Sequence, residues 1–248
     1  PDGRQLAYAA EGKDIYILDI ESGATVPLSG ASDPGVVETM PAWSPDSSTI
    51  AFVRASGEVR GYALAVPSDI YTVPAAGGVA TLLPGAGNGG FNYYPAYSPN
   101  GRWLAFTRHT TGSSTRADPQ AEIYIVPAEG GEAKRLAAND LPTGQSLAGA
   151  SNSWPTWSPD SSSLAFNSKR NGGQFDIYLT TIDPDGNSGA AQPLPGAACT
   201  ERFEHLPQWG RPPQVNLLAR LLGWLPWLLG LPVLWLLKRR ACRPRTYS

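Results

Sequence analysis

Residues that carry most enzyme chemistry are scarce in this chain. Its 248 residues include two histidines, two cysteines and a single methionine. His109 and His205 have no second imidazole at metal-ligand spacing, so each reads as an exposed loop residue. Cys199 and Cys242 fit neither a metal site nor a disulfide framework. Charged residues make up only 16%, which argues against long solvated helices. No glycine-rich loop stands between a strand pattern and a helix pattern, so a phosphate cradle is not expected. No cofactor and no metal are expected, and no catalytic residue can be singled out.

Glycine (27) and proline (24), by contrast, are abundant, as in chains of short strands joined by turns. They punctuate an internal repeat, the feature to be sought before any other. Pro41-Ala42-Trp43-Ser44-Pro45-Asp46 recurs as Pro95-Ala96-Tyr97-Ser98-Pro99-Asn100 and as Pro155-Thr156-Trp157-Ser158-Pro159-Asp160. An apolar strand follows each copy: Ile50–Val53, Leu104–Thr107 and Leu164–Asn167. Next come Asp69-Ile70-Tyr71, Glu122-Ile123-Tyr124 and Asp176-Ile177-Tyr178, and then a Gly-rich turn and a Leu-containing strand. The chain opens inside the same unit at Pro1-Asp2-Gly3, and Pro207-Gln208-Trp209 matches the first strand of another copy. Four strands per repeat predict propeller blades that bury their faces on their neighbours. Trp43, Tyr97, Trp157 and Trp209 are the large groups suited to that layer, and Asp46 and Asp160 shape the turns.

These residues resemble the Pro-Asp variant of WD-like repeats found in TolB-type propellers, over about residues 1–209. The resemblance implies a β-propeller used mostly for protein interaction, often outside the cytoplasm. It also implies kinship with the gating domains of prolyl-oligopeptidase-type enzymes, and it carries over no active site. The expected fold is therefore all-β, with about four four-stranded blades plus one C-terminal transmembrane α-helix. Blades are expected at about 1–30, 38–83, 92–137 and 153–195, with a closing strand over 203–209. Two arrangements stay open, a four-bladed ring closed by that strand and an arc of a larger ring. The start inside a motif favours the arc and suggests that the true N-terminus lies upstream.

The tail differs in kind. Residues 1–214 carry a net charge of −8, and 215–248 carry +6 with no acid. The acidic head has no basic stripe, which argues against nucleic acid as a partner. After a linker at 211–214, residues 215–237 approach the ~20 apolar residues that span a bilayer. Leu221–Leu237 has 17 uncharged residues, and Lys238, Arg239, Arg240, Arg243 and Arg245 follow. The positive-inside rule makes 238–248 a cytoplasmic tail and puts the propeller outside the cytoplasm. Leu206–Gly210 also resembles a cell-wall sorting signal, but that family requires Thr where Trp209 stands, and the repeat accounts for Trp209. Arginine outnumbers lysine 15 to 4, a bias of GC-rich bacterial genomes.

Two local patterns approach chemistry. Gly144-Gln145-Ser146-Leu147-Ala148 comes near a nucleophile elbow but no helix pattern follows it. Asp183-Pro184-Asp185-Gly186-Asn187 begins like a calcium loop, yet Leu194 stands where the twelfth-position Glu is needed. A hairpin turn fits it better, with weak calcium binding at Asp183 and Asp185 as the alternative. The informative feature is loop length. Long loops on one face are expected to hold Arg54, Arg60, Tyr93, Tyr94, Arg108, His109, Arg116 and Trp154, aromatic and basic groups of the kind that anchor protein or peptide partners. The alternative for some of these aromatics is packing between blades. The sequence leaves oligomeric state open.

Overall fold

The computed structural model describes residues 1–10, 13–55, 59–60, 63–64, 67–109, 121–141, 151–170, 175–194, 207 and 209. The chain divides into two units, Pro1–Gln208 and Trp209–Ser248, and every described strand belongs to the first. Arg116, His205, Ser146, both cysteines, the linker, residues 215–237 and the basic tail lie outside the described residues. Among the described residues no helix is long and apolar enough to cross a membrane.

The first sheet is β1 (Gln5–Ala10), β2 (Asp14–Asp19) and β3 (Thr25–Pro27), paired in that order. The second blade comprises β4 (Val37–Trp43), β5 (Thr49–Ala55), β8 (Ser68–Pro74) and β9 (Thr81–Leu82), and a small hairpin of β6 (Val59–Arg60) and β7 (Ala63–Leu64) lies between β5 and β8 in sequence. The third is β10 (Phe91–Tyr97), β11 (Trp103–His109), β12 (Ala121–Pro127) and β13 (Lys134–Arg135). The fourth is β14 (Asn152–Trp157), β15 (Ser163–Ser168), β16 (Asp176–Thr181) and β17 (Gln192–Pro193). Consecutive strands within each blade pair antiparallel, as in up-and-down propeller blades. One parallel bridge, Phe91 to Ser68, joins the second and third blades. The first blade has three described strands, and no strand ladder joins the first sheet to the last among the described residues.

The two-residue period of a strand explains the packing. In β5, Phe52 packs toward the first blade with Ile15, Ile17 and Leu28, while neighbouring Ala51 faces the third blade with Leu104 and Phe106. In β11, Phe106 turns back to the second blade and Ala105 forward to Trp157 and Leu164 of the fourth. Each Ala-Phe pair therefore offers a small residue to one neighbour and a large one to the other. Phe52, Phe106 and Phe166 are fully buried, and each stabilises the stack by about 1.5–3 kcal/mol.

The Pro-Asp turns close on themselves. Asp46 Oδ1 accepts from the Ser44 hydroxyl, the Ser48 N–H at 3.1 Å and the Ser48 hydroxyl at 2.9 Å. Asp160 does the same with Ser158 and Ser162, and Asn100 with Ser98 and the Arg102 N–H. The next residue is left-handed in each turn: Ser47 at φ 63°, Gly101 at 71° and Ser161 at 61°.

Candidate functional site

Strands β4, β10 and β14 lie side by side, and each carries the same bulge. The register breaks between Thr39 and Ala42, Tyr93 and Ala96, and Ser153 and Thr156. Within each break the residue before proline is left-handed: Met40, Tyr94 and Trp154 all have φ 54°. A large non-glycine side chain in that region costs roughly 1–3 kcal/mol. Three equivalent strained residues mark this position as special, because a bulge re-aims a side chain.

The bulges assemble an aromatic set. Tyr94 lies 5.2 Å from Trp154 between ring centroids, Trp154 lies 5.5 Å from Phe175, and Tyr93 lies 6.1 Å from Tyr94. His109 meets Tyr93 edge-on at 5.1 Å. The Lys169 ammonium sits 4.6 Å above the Phe175 ring. Met40 and Phe91 pack against Val53 and Tyr93 in the same region. Tyr93 and Phe175 are buried, while Met40, Phe91, Tyr94, His109 and Trp154 are half-buried.

The arginines sit differently from the loop positions expected of them. Arg54 belongs to β5 and Arg108 to β11, and the aromatics Tyr93, Tyr94 and Trp154 also lie within strands, because these strands run beyond the apolar motif. Arg54 covers the cross-strand pair Phe52–Tyr71, with its guanidinium carbon 5.5 and 4.7 Å from the rings. It donates to the Gly30 carbonyl in the preceding blade at 2.8 Å, and to Glu38 and Asp33. Arg108 covers Phe106 and Tyr124 at 5.1 and 4.6 Å, and donates to the Gly85 carbonyl and to Asn92 Oδ1. Each guanidinium thus ties its own blade to the closing turn of the blade before it.

The fourth blade makes the same clamp from another position. Ser168 stands where Arg54 and Arg108 do, and Arg170, two residues later, covers Phe166 and Tyr178 at 5.6 and 4.5 Å. It donates to the Ala138 carbonyl at 2.7 Å and to Asn152 Oδ1 at 3.2 Å. Sequence reasoning missed Arg170, Glu38, Asn92, Asn152 and Phe175. For the first clamps a signal exists: Ala-Phe-x-Arg recurs at Arg54 and Arg108, and recurrence in a repeat points to packing. Glu38 is fully buried, and burial pushes its carboxyl above the ordinary glutamate value even though Arg54 hydrogen-bonds to it. Burial likewise pulls the guanidinium groups of Arg108 and Arg170 below the usual arginine range.

Among the remaining expected residues, Arg60 falls in β6, whose side chains are not described, and Arg116 lies outside the described residues. Trp157 Nε1 donates to the Ala96 carbonyl of the third blade at 3.0 Å. Trp43 Nε1, at the same register, is buried with no acceptor among the described residues. Tyr97 packs between blades, and Trp209 is 40% exposed. Asp183 is the centre of a hairpin turn. Its carboxylate accepts from the N–H groups of Asp185 and Asn187 and from the Asn187 amide. Among the described residues no group of three or more His, Cys, Asp or Glu is placed to hold a metal ion.

No family model matches the chain. It is 32% identical over 126 residues to the uncharacterized peptidase YuxL of Bacillus subtilis (strain 168), a match spanning 51% of this chain and 16% of that protein. Putative TolB from Agrobacterium tumefaciens superposes with a TM-score of 0.55 at 22% identity, covering 78% of this chain and 58% of that one. Oligogalacturonate lyase from Vibrio parahaemolyticus gives 0.56 at 14% identity, covering 83% and 54%. A puromycin-hydrolyzing peptidase of Mycobacterium tuberculosis gives 0.51 at 19%, covering 78% and 29%. The chain thus spans less than two thirds of each of these proteins. The structural likenesses establish the fold, a TolB-like β-propeller, and that fold is shared by chains of unlike activity.

Proposed function

We propose that this propeller is a membrane-tethered scaffold, held outside the cytoplasm, that binds a protein or peptide through the face carrying Met40, Tyr94 and Trp154. The observation behind this reading is the threefold bulge. Three blades bear the strain of a left-handed non-glycine residue at one register, and each presents a large side chain to a shared aromatic set. Strained residues of this kind cluster at binding and active sites. Tyr, Trp and Met are enriched where partners dock. The tether rests on the apolar stretch 215–237 and the basic residues after it. Arg54 and Arg108 are engaged in the clamps between blades, so the binding groups are the aromatics rather than those arginines.

Glycine at the bulge positions tests this without adding backbone strain. Membrane extract is passed over the immobilised chain and over a Tyr94→Gly/Trp154→Gly variant with a matched thermal midpoint. A partner retained by the first and lost by the second is the expected outcome. A partner retained equally by both contradicts the assignment of the face.

One observation favours a second reading, an accessory propeller gating a peptidase whose catalytic part is not in this sequence. It is the 126-residue match to YuxL, a protein much longer than this chain. Intact-mass measurement of the native polypeptide separates the two readings. A mass large enough to add a hydrolase domain to these 26.3 kDa favours the gate.

A further inference from the structure

The turns at the other end of the blades leave a groove between the second and third blades. It encloses about 630 Å³ and is lined by Thr49, Thr72, Thr81, Leu82, Tyr97 and Glu129 among others. The volume falls in the range of pockets that hold ligands, roughly 300–1,000 Å³. At the next junction along the chain larger side chains stand at the equivalent positions, as the register shows. Phe52 pairs with Tyr71 as Phe106 pairs with Tyr124, and Tyr71 with Leu82 as Tyr124 with Arg135. Thr49, Thr72 and Thr81 therefore occupy the positions of Trp103, Ile125 and Lys134.

At the third-to-fourth junction those larger residues fill the space. The Gly186 turn rests on Trp103 and Ile125 so closely that a Cβ there would come within 2.9 Å of both. The Lys134 ammonium lies 5.6 Å from the Trp103 ring and donates to the Asp185 carbonyl at 2.6 Å. One junction is thus closed by an indole and a lysine, and the other has threonines in their place.

The open groove also has one sign of charge. Asp46 and Glu129 line it, and among the described residues no Lys or Arg does. The Asp46 carboxyl is held down at about 2 by the hydroxyl of Ser44 and the N–H and hydroxyl of Ser48, so it stays ionised. Tyr97 beside them is pushed up to about 12 by burial, Asp46 and Glu129, so its phenol keeps its proton. Leu82 and Pro84 supply apolar wall.

We infer that this groove receives a lysine and a neighbouring aromatic side chain from a partner peptide, in the manner in which Lys134 and Trp103 fill the adjacent junction. This site lies apart from the aromatic bulges and does not depend on the reading given for them.

The probe is a fluorescein-labelled peptide of alternating Trp and Lys, followed by fluorescence anisotropy with the full chain. Saturable binding is expected, with at least tenfold loss in Glu129→Lys, an exposed position where the fold is unaffected. Thr49→Trp, which fills the groove from within, is expected to weaken binding as strongly while leaving the thermal midpoint equal or higher. The proposal is overturned if both variants bind as the wild type does, or if a peptide with Glu in place of Lys binds equally well.

Discussion

Ser47 and Ser161 occupy the same turn position with φ near 60°, where glycine is at ease and serine is not. Only their surroundings differ: Ser161 Oγ accepts the Asn100 N–H at 3.0 Å, and among the described residues the Ser47 side chain has no hydrogen-bond partner. Ser47→Gly should therefore raise stability by up to about 1 kcal/mol, and Ser161→Gly should gain less or nothing, as urea unfolding will show. Trp43 and Trp157 form a second pair. Trp157→Phe loses a hydrogen bond worth about 1 kcal/mol, whereas Trp43→Phe loses none that the described residues make, so denaturant midpoints should separate the two. The turn carboxylates contribute to acid sensitivity. Asp46 and Asp160 are held at about 2 against an ordinary 3.8. Their contribution is fully present above pH 3.8 and disappears as the pH falls toward 2. In Asp46→Asn/Asp160→Asn the fall in melting temperature across that window should be shallower than in the wild type.

At the scale of the element, each blade is joined to the one before it by a guanidinium clamp. The clamps are equivalent in geometry and unequal in charge. Arg54 faces the buried carboxylate of Glu38, while Arg108 faces the neutral amide of Asn92. Removing one member of a buried pair strands the other, at a cost of about 3–5 kcal/mol. Arg54→Met should thus destabilise more than Arg108→Met, and Glu38→Gln added to Arg54→Met should recover much of the loss. A double-mutant cycle by chemical unfolding checks this. The strands and their order were legible in the sequence because Trp-Ser-Pro-Asp, Ala-Phe and Ile-Tyr recur at fixed offsets. The clamps were half legible, since Arg54 and Arg108 recur but Arg170 reaches its place from two residues further on. The bulges were not legible, because Met40, Tyr94 and Trp154 share no chemistry beyond size; only the proline after each is common, and it does not dictate a positive φ.

Across the whole molecule, stability passes from blade to blade through shared apolar layers, so a blade with buried strands should outlast one with exposed strands. In the first sheet every residue of β3 is exposed, while in the third blade Ile123, Ile125 and Val126 are fully buried. Amide hydrogen exchange should be markedly faster for β1 to β3 than for β11 and β12. A rigid stack of this kind holds its bulges in register, and the proposed surface depends on that. Once a partner is in hand, its affinity for the wild type and for Met40→Gly/Tyr94→Gly/Trp154→Gly tests the account most directly. A loss of at least about tenfold, or ~1.4 kcal/mol, with the native β-sheet circular dichroism retained, is the predicted result. Full affinity in that variant would contradict the assignment of the aromatic bulges as the binding face.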